Sequence, residues 1–451
     1  MRRVLQNRVV TVGGNRFPIA WSERKKSELT EIARGALPAR SAIEAALALP
    51  LIRCSDGDFN RAEQEILHLL QQHLPIVKGN DDFFISYLEA LFVLQRLDLV
   101  AAMLQDRYGF PRPLRLSVEP KASAVGLVQW QISLANEKSE HRFIFDADVF
   151  SDDRLRQEIL AFQWEFPLLS HYANSLEQDP GTILINRHDI GLTPGLAYCD
   201  NRPEFYLIPD FVYVSTRGYA YARQVFRDGK IPWAQRSAMA FWRGSTTGIP
   251  GKHGDWSSLP RAKLCQLAQR HASSGLFDVG FNSIVYFGDE TATEIRKLGL
   301  IRDAVPWQEW NRYKFQIDID GNTNAWSGLF QRLLTGSPVL KVESSQGLVQ
   351  WYYDQLRPWD NYVPVSPDLS DLVHKIRWLQ RNDSIAEQIG RRGFELTERL
   401  SYERELNRSV PVIAAAFRHF NGKPSNAGPF GRAGYALGWT YTQPYWTSVK
   451  I

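Results

Sequence analysis

Short apolar runs that alternate with helix-length amphipathic stretches fill the middle of this sequence, and that alternation leaves few folds open. Thr182-Ile183-Leu184-Ile185 has the character of a strand covered on both faces, as in a parallel sheet. Further runs fall at 239–242, 277–279, 314–319, 338–342 and 362–365, and helical spacing marks 262–270, 325–334, 370–380 and 384–417. Parallel strands need a crossover between them, usually a helix, so the pattern predicts an α/β protein with parallel sheets.

The chain ahead of these runs has a different period. Ile66, Leu67, Leu69 and Leu70 follow Asn60-x-x-Glu63, which predicts a helix with a capping box. The stretch DDFFISYLEALFVLQRLDLVAAMLQDRYG splits near residues 96–98 and predicts a helical hairpin. Beyond Pro111-Arg112-Pro113 the period drops to two at 114–118, 128–134 and 143–145, and Ser151 is placed to cap a further helix. At 451 residues the chain exceeds a single core. We expect a helical accessory region over 1–110, a first Rossmann-like lobe over 111–230 and a second over 231–405. A C-terminal helix and aromatic tail over 406–451 would return to the first lobe. The boundary between the lobes is placed at the polar stretch 227–232.

Lys and Arg exceed Asp and Glu by only four, 53 against 49, and are spread along the chain, which gives nucleic-acid binding little support. Cys54, Cys199 and Cys265 lack disulfide-framework or metal-ligand spacing and suit reduced core thiols. The basic N-terminus has no apolar signal-peptide core and no run is long enough to span a bilayer, so the expectation is a cytoplasmic protein, at most peripheral at the inner face of a membrane.

Four stretches combine strand ends, glycine and polar side chains: LINRHDIG, FWRGSTTG, IDIDGNTNAWSG and LTGSPVLK. In the second, Arg243 offers a fork of donors, Gly244 allows close backbone approach, and Ser245 with the two threonines supplies hydroxyls; a diphosphate suits it, and so does a plain turn whose arginine is paired to a carboxylate. In the third, Asp320-Gly321 ends a strand and Asn322, Thr323, Asn324 and Ala325 are expected to open a helix whose N-terminus would hold a phosphate, the plainer alternative being Asn324 as an ordinary N-cap. Asp189, just beyond a buried strand, is a candidate general base, against an Asx-turn or a salt bridge to Arg187. His188 and Asp200 are acceptor-side candidates. Asp318 and Asp320 share a strand face, a weak metal signal, and we expect no metal and no cofactor.

At these stretches the chain resembles glycosyltransferase family 90. The residues that carry the likeness are FWRGSTTG, KFQIDIDGNTNAWSGLFQRLLTGSPVLKV and WYYDQLRPWDNYVPVSPDLSDL, with AYCDNRPEFYLIPDFVYV upstream, together spanning roughly residues 183–393. The resemblance implies a GT-B arrangement of two lobes facing a cleft, with the acceptor on the first and the donor on the second. It also implies a UDP-sugar donor, inversion at the anomeric carbon and no obligatory metal. Asp189 matches the family's base; Ser245 and the turn Gly321, Asn322, Thr323, Asn324, Ala325 and Trp326 match donor-binding positions; Arg261 matches an arginine that follows the RGS motif. The chain departs from eukaryotic members at Gly328-Leu329, where they carry a basic residue, so Arg243 or Arg261 is assigned to neutralise the leaving diphosphate. The expected acceptor is a lipopolysaccharide core or capsular glycan, lipid-linked or free. The alternatives are a protein O-glycosyltransferase and a non-catalytic nucleotide- or glycan-binding protein.

Overall fold

The computed structural model describes residues 8–12, 15–19, 27, 30–35, 42–55, 58–77, 81–94, 96–110, 113–120, 129–135, 138–145, 162–175, 181–187, 189, 191, 193–248 and 255–420. They divide into two compact units, one drawn from Met1–Asn186 and Ala416–Pro424, the other from Arg187–Ala415. The helix expected from Ser151, the C-terminal aromatic tail, the side chain of Cys54 and His188 lie outside the described residues.

The first unit opens with an antiparallel hairpin, β1 (Arg8–Val12) and β2 (Asn15–Ile19), which the sequence pattern did not signal. Four helices follow: α1 (Ala42–Ser55), α2 (Phe59–Val77), α3 (Asp81–Val93) and α4 (Leu97–Tyr108). The last two form the expected pair, split where Arg96 ends one run. Asn60 does not cap α2, which begins a residue earlier; Glu63 instead accepts a hydrogen bond from Arg96 Nη1 at 2.6 Å. Ile66 of α2 and, one turn apart on the same face of α3, Tyr87 and Leu91 are buried. A sheet is built from β3 (Leu114–Pro120), β4 (Gln129–Ala135), β5 (Lys138–Phe145) and, after α5 (Phe166–Asn174), β6 (Gly181–Ile185). β3 runs parallel to β5, and β4 antiparallel to both β5 and β6. The apolar run of β6 predicts a parallel strand, but against β4 it is antiparallel, and Thr182 on it shares a 2.8 Å hydrogen bond with Ser133.

The second unit contains β7 (Gly195–Ala197), β8 (Cys199–Asp200), β9 (Phe205–Leu207), α6 (Phe211–Ser215), α7 (Ala220–Asp228), β10 (Ser237–Ser245), α8 (Pro260–Arg270), β11 (Phe277–Ser283) and α9 (Asp289–Lys297). It continues through β12 (Tyr313–Asp318), α10 (Gly328–Leu334), β13 (Val339–Val342), β14 (Val349–Gln350), β15 (Val363–Val365), α11 (Leu372–Arg381), α12 (Asp383–Arg399) and the larger part of α13 (Tyr402–Phe420). The helical stretch 384–417 divides into two helices at Leu400 and Ser401, a few residues before the C-terminal helix is expected to begin. Residues 227–232 lie inside this unit, at the end of α7 and in the loop that leads to β10.

Five strands form one sheet in the order β11-β10-β12-β13-β15, and every pairing in it is parallel. Period two on β10 sends Ala240 and Trp242 into a core with α8 and α11, and Phe241 into a second core on the other face with α7 and α10. Of these, Phe241 contributes about 1.5 to 3 kcal/mol by leaving water, and the larger Trp242 at least as much. The chain leaves β10 toward β11 on one side, then returns to β12 on the other. A parallel α/β sheet has its ligand crevice where the winding reverses in this way, at the carboxyl ends of the two strands concerned. Among the described residues no helix is long and apolar enough to cross a membrane.

Candidate functional site

The loops that follow β10 and β12 meet at that reversal. Gly248 N–H donates to Asn322 Oδ1 at 3.1 Å, joining the two loops directly. Gly321 makes the approach possible, because a Cβ there would stand 2.7 Å from Thr247 Oγ1 and 2.8 Å from Arg261 Nη2. Arg261, in the first turn of α8, reaches across both loops. Its Nε donates to the Asp320 carbonyl at 3.1 Å, Nη1 to the Ser245 carbonyl at 3.3 Å and to Thr247 Oγ1, and Nη2 to the Ile319 carbonyl at 3.4 Å. Its guanidinium lies 5.6 Å from the Trp242 ring. None of these partners carries a negative charge. Burial, with Arg332 adding to it, pushes the Arg261 guanidinium down to about 10, while Asp318 and Asp320 pull the other way from a distance. It therefore stays charged at neutral pH while, among the described residues, no counter-ion contacts it, the condition that attracts an anion.

Arg243, the other cation considered for this role, is turned elsewhere. Period two places it on the opposite face of β10 from Trp242. Its Nη2 pairs with Asp278 Oδ1 at 2.6 Å, its Nη1 donates to the carbonyls of Asp278 and Trp242 at 2.9 and 3.1 Å, and its Nε donates to the Asp303 carbonyl at 3.0 Å. The plain-turn reading, an arginine paired to a carboxylate, describes this residue. Gly244 lets the Trp242 ring fold close beneath the strand, since a Cβ would sit 2.5 Å from it.

The turn after β12 departs from expectation. Its helix, α10, begins at Gly328, so Asn322 to Ala325 do not open a helix and Asn324 is no N-cap. Buried Asn324 instead donates to the Leu348 carbonyl at 2.8 Å and accepts from Cys199 Sγ at 2.8 Å, while Thr323 Oγ1 accepts from Ala325 N–H at 3.2 Å. Side-chain bonds of this kind offer the backbone an alternative to helix. Beneath the turn, Lys341 Nζ lies 3.3 Å from Asp318 Oδ2 and 4.0 Å from Asp320 Oδ1, and Arg332 lies 3.7 Å from Asp318 Oδ1. Burial opposes the charge on Lys341, but Asp318 and Asp320 outweigh it and hold the ammonium above its ordinary value. Burial likewise pushes the Asp320 carboxyl up. Among the described residues no group of three or more His, Cys, Asp or Glu is arranged to hold a metal ion.

Asp189 faces the same turn. Trp326 Nε1 donates to its Oδ1 at 2.8 Å and Asn322 Nδ2 to its Oδ2 at 3.1 Å, so these partners, and not Arg187, engage its carboxylate. Asp189, Asn322, Trp326, Gly321, Arg261 and Ser245 are thereby brought together, from segments up to 137 residues apart. Asp200 is not free to act on a substrate: it is buried and accepts from Gly191 N–H, from the N–H groups of Asn201 and Arg202, and from the Arg202 guanidinium. Tyr286 escaped the sequence reading. Its hydroxyl is 3.5 Å from Asn322 Nδ2, its ring is 76% exposed, and its φ of +67° is unusual for a bulky residue and typical of functional loops. Only its place after a strand could have signalled it.

Residues 214–404 match Glycosyl transferase family 90. The chain is 32% identical over 168 residues to protein O-glucosyltransferase 3 of Rattus norvegicus, covering 37% of this chain and 29% of that protein. With protein O-glucosyltransferase 3 of Homo sapiens the identity is 30% over 162 residues, 36% of this chain and 28% of the other. The match thus spans under a third of the length of these relatives. Among solved structures, a GtfA/B complex superposes with a TM-score of 0.30 at 14% identity, over 41% of this chain and 37% of that one.

Proposed function

We propose that this chain is an inverting glycosyltransferase of family 90 that moves a hexose or pentose from a UDP-sugar to a hydroxyl of a lipopolysaccharide core or capsular glycan. The observation that carries the reading is Arg261: a part-buried guanidinium with no carboxylate partner among the described residues, at the carboxyl ends of β10 and β12, beside Ser245, Thr247 and the Gly321 turn. A nucleoside diphosphate supplies the missing negative charge. The match over residues 214–404 supports the same chemistry. In this reading the protein has the two-lobed GT-B arrangement and needs no cofactor.

The reaction follows from the placements. The acceptor hydroxyl loses its proton to Asp189 as its oxygen bonds to the anomeric carbon. The bond from that carbon to the β-phosphate oxygen breaks, UDP departs with the electron pair, and Arg261 offsets the charge that grows on it. Attack and departure on opposite faces of the sugar invert the centre. Enzyme-dependent UDP release across a panel of UDP-sugars tests the donor. Asp189→Asn is expected to lower turnover on the order of 10²- to 10⁴-fold while UDP still binds; near-wild-type turnover would remove Asp189 from the role of base. A protein hydroxyl as acceptor is the second reading, favoured by the relatives' names, and the mass of the product separates the two.

A further inference from the structure

Asp189 stands in a loop, where a carboxylate ordinarily swings about two torsions, yet each of its oxygens receives one hydrogen bond from the turn after β12. The two donors are themselves fixed. The Trp326 ring meets Phe211 edge-on at 5.3 Å and leans on Tyr198 at 6.1 Å, and the Arg187 guanidinium covers Phe211 at 4.8 Å. Asn322 is anchored at its other end by Gly248 N–H, so its amide cannot turn over without losing that bond. Trp326 is nevertheless 36% exposed, more than packing alone asks of an indole.

We propose that Trp326 and Asn322 are positioning residues: they fix the rotation of the Asp189 carboxylate and leave one lone-pair direction on each oxygen open to an acceptor hydroxyl. The base is then aligned by the same turn that borders Arg261, so proton removal and diphosphate departure share one rigid support. This rests on the reading of Asp189 as the base. Proton transfer demands hydrogen-bond distance and direction, and small misplacements of a reacting group cost large factors in rate.

Trp326→Phe in the full chain keeps the ring contacts and deletes the Nε1–H donor. With the UDP-sugar that turns over, kcat for UDP release is expected to fall on the order of 10- to 100-fold. The donor KM and the Kd for UDP should stay within about twofold, because the ring and the backbone of the turn remain. In an Asp189→Asn background the same substitution should add no further loss, since the group it acts through is gone. The proposal is overturned by a wild-type kcat in Trp326→Phe, by a loss confined to donor KM, or by an equal loss in the Asp189→Asn background. If Asp189→Asn itself keeps turnover, the reading of the base fails instead, whatever Trp326→Phe does.

Discussion

Replacing Gly321 by alanine adds one methyl group at the most crowded point of the site. The new Cβ would stand 2.7 Å from Thr247 Oγ1, 2.8 Å from Arg261 Nη2 and 3.0 Å from its Cζ. Carbon contacts are comfortable at roughly 3.5 to 4 Å, so the guanidinium must retreat by most of an ångström. The backbone at Gly321 is not in the left-handed region, so the penalty is steric. Overpacking of this kind costs about 1 to 3 kcal/mol. Retreat also weakens the bonds from Arg261 to the Asp320 and Ile319 carbonyls, each worth about 1.5 to 3 kcal/mol for a charged donor before screening by solvent. A net loss of ~2 kcal/mol corresponds to a fall in Tm of about 4 to 8 °C for a unit of this size. Calorimetric titration should show UDP binding weakened about 10- to 100-fold, or ~1.4 to 2.8 kcal/mol. Gly275→Ala is the control. There φ is +64° with nothing within 4 Å of the new Cβ, so stability falls by about 1 kcal/mol and UDP affinity is untouched. If Gly321→Ala binds UDP as the wild type does, Arg261 does not hold the diphosphate.

The two arginines should separate cleanly: Arg261→Met loses UDP affinity tenfold or more, at least ~1.4 kcal/mol, whereas Arg243→Met lowers Tm by leaving Asp278 with Tyr313 Oη but without its ion pair, and keeps the affinity of whatever protein remains folded, both checked by titration and melting. A pH effect centres on Asp210, which caps α6 and accepts from Tyr219 Oη; burial pushes its carboxyl from 3.8 up to about 6. The folded state therefore binds the proton more tightly than the unfolded chain, so this group's contribution is full below about pH 4 and is lost as pH rises through about 6. Asp210→Asn should flatten melting stability over that window by up to ~3 kcal/mol; an unchanged pH dependence would refute it.

Strand and helix alternation was legible from residue 237 onward because each run has one period and one length, and β10, β12, β13 and β15 fall where their apolar residues predict. Helix starts were less legible. Asn60 and Asn324 both have the chemistry of caps, but one lies inside its helix and the other is drawn into tertiary bonds with Leu348 and Cys199, which no local pattern encodes. The candidate site divided the same way. Asp189, Asn322 and Trp326 were legible as site residues, whereas their contact was not. Choosing between Arg243 and Arg261 needed the face of β10 and the position of Asp278 on its neighbour, a property of sheet order and not of spacing.

The bond from Gly248 N–H to Asn322 spans 74 positions in sequence and exists only when β12 lies beside β10. No fragment cut around either motif contains the site, and a chain caught before those strands pair has none. Ligand occupancy is therefore a reporter of sheet assembly. Any anion that engages both loops is linked to folding, and at 100-fold excess over its Kd it shifts the folded population by about 2.7 kcal/mol.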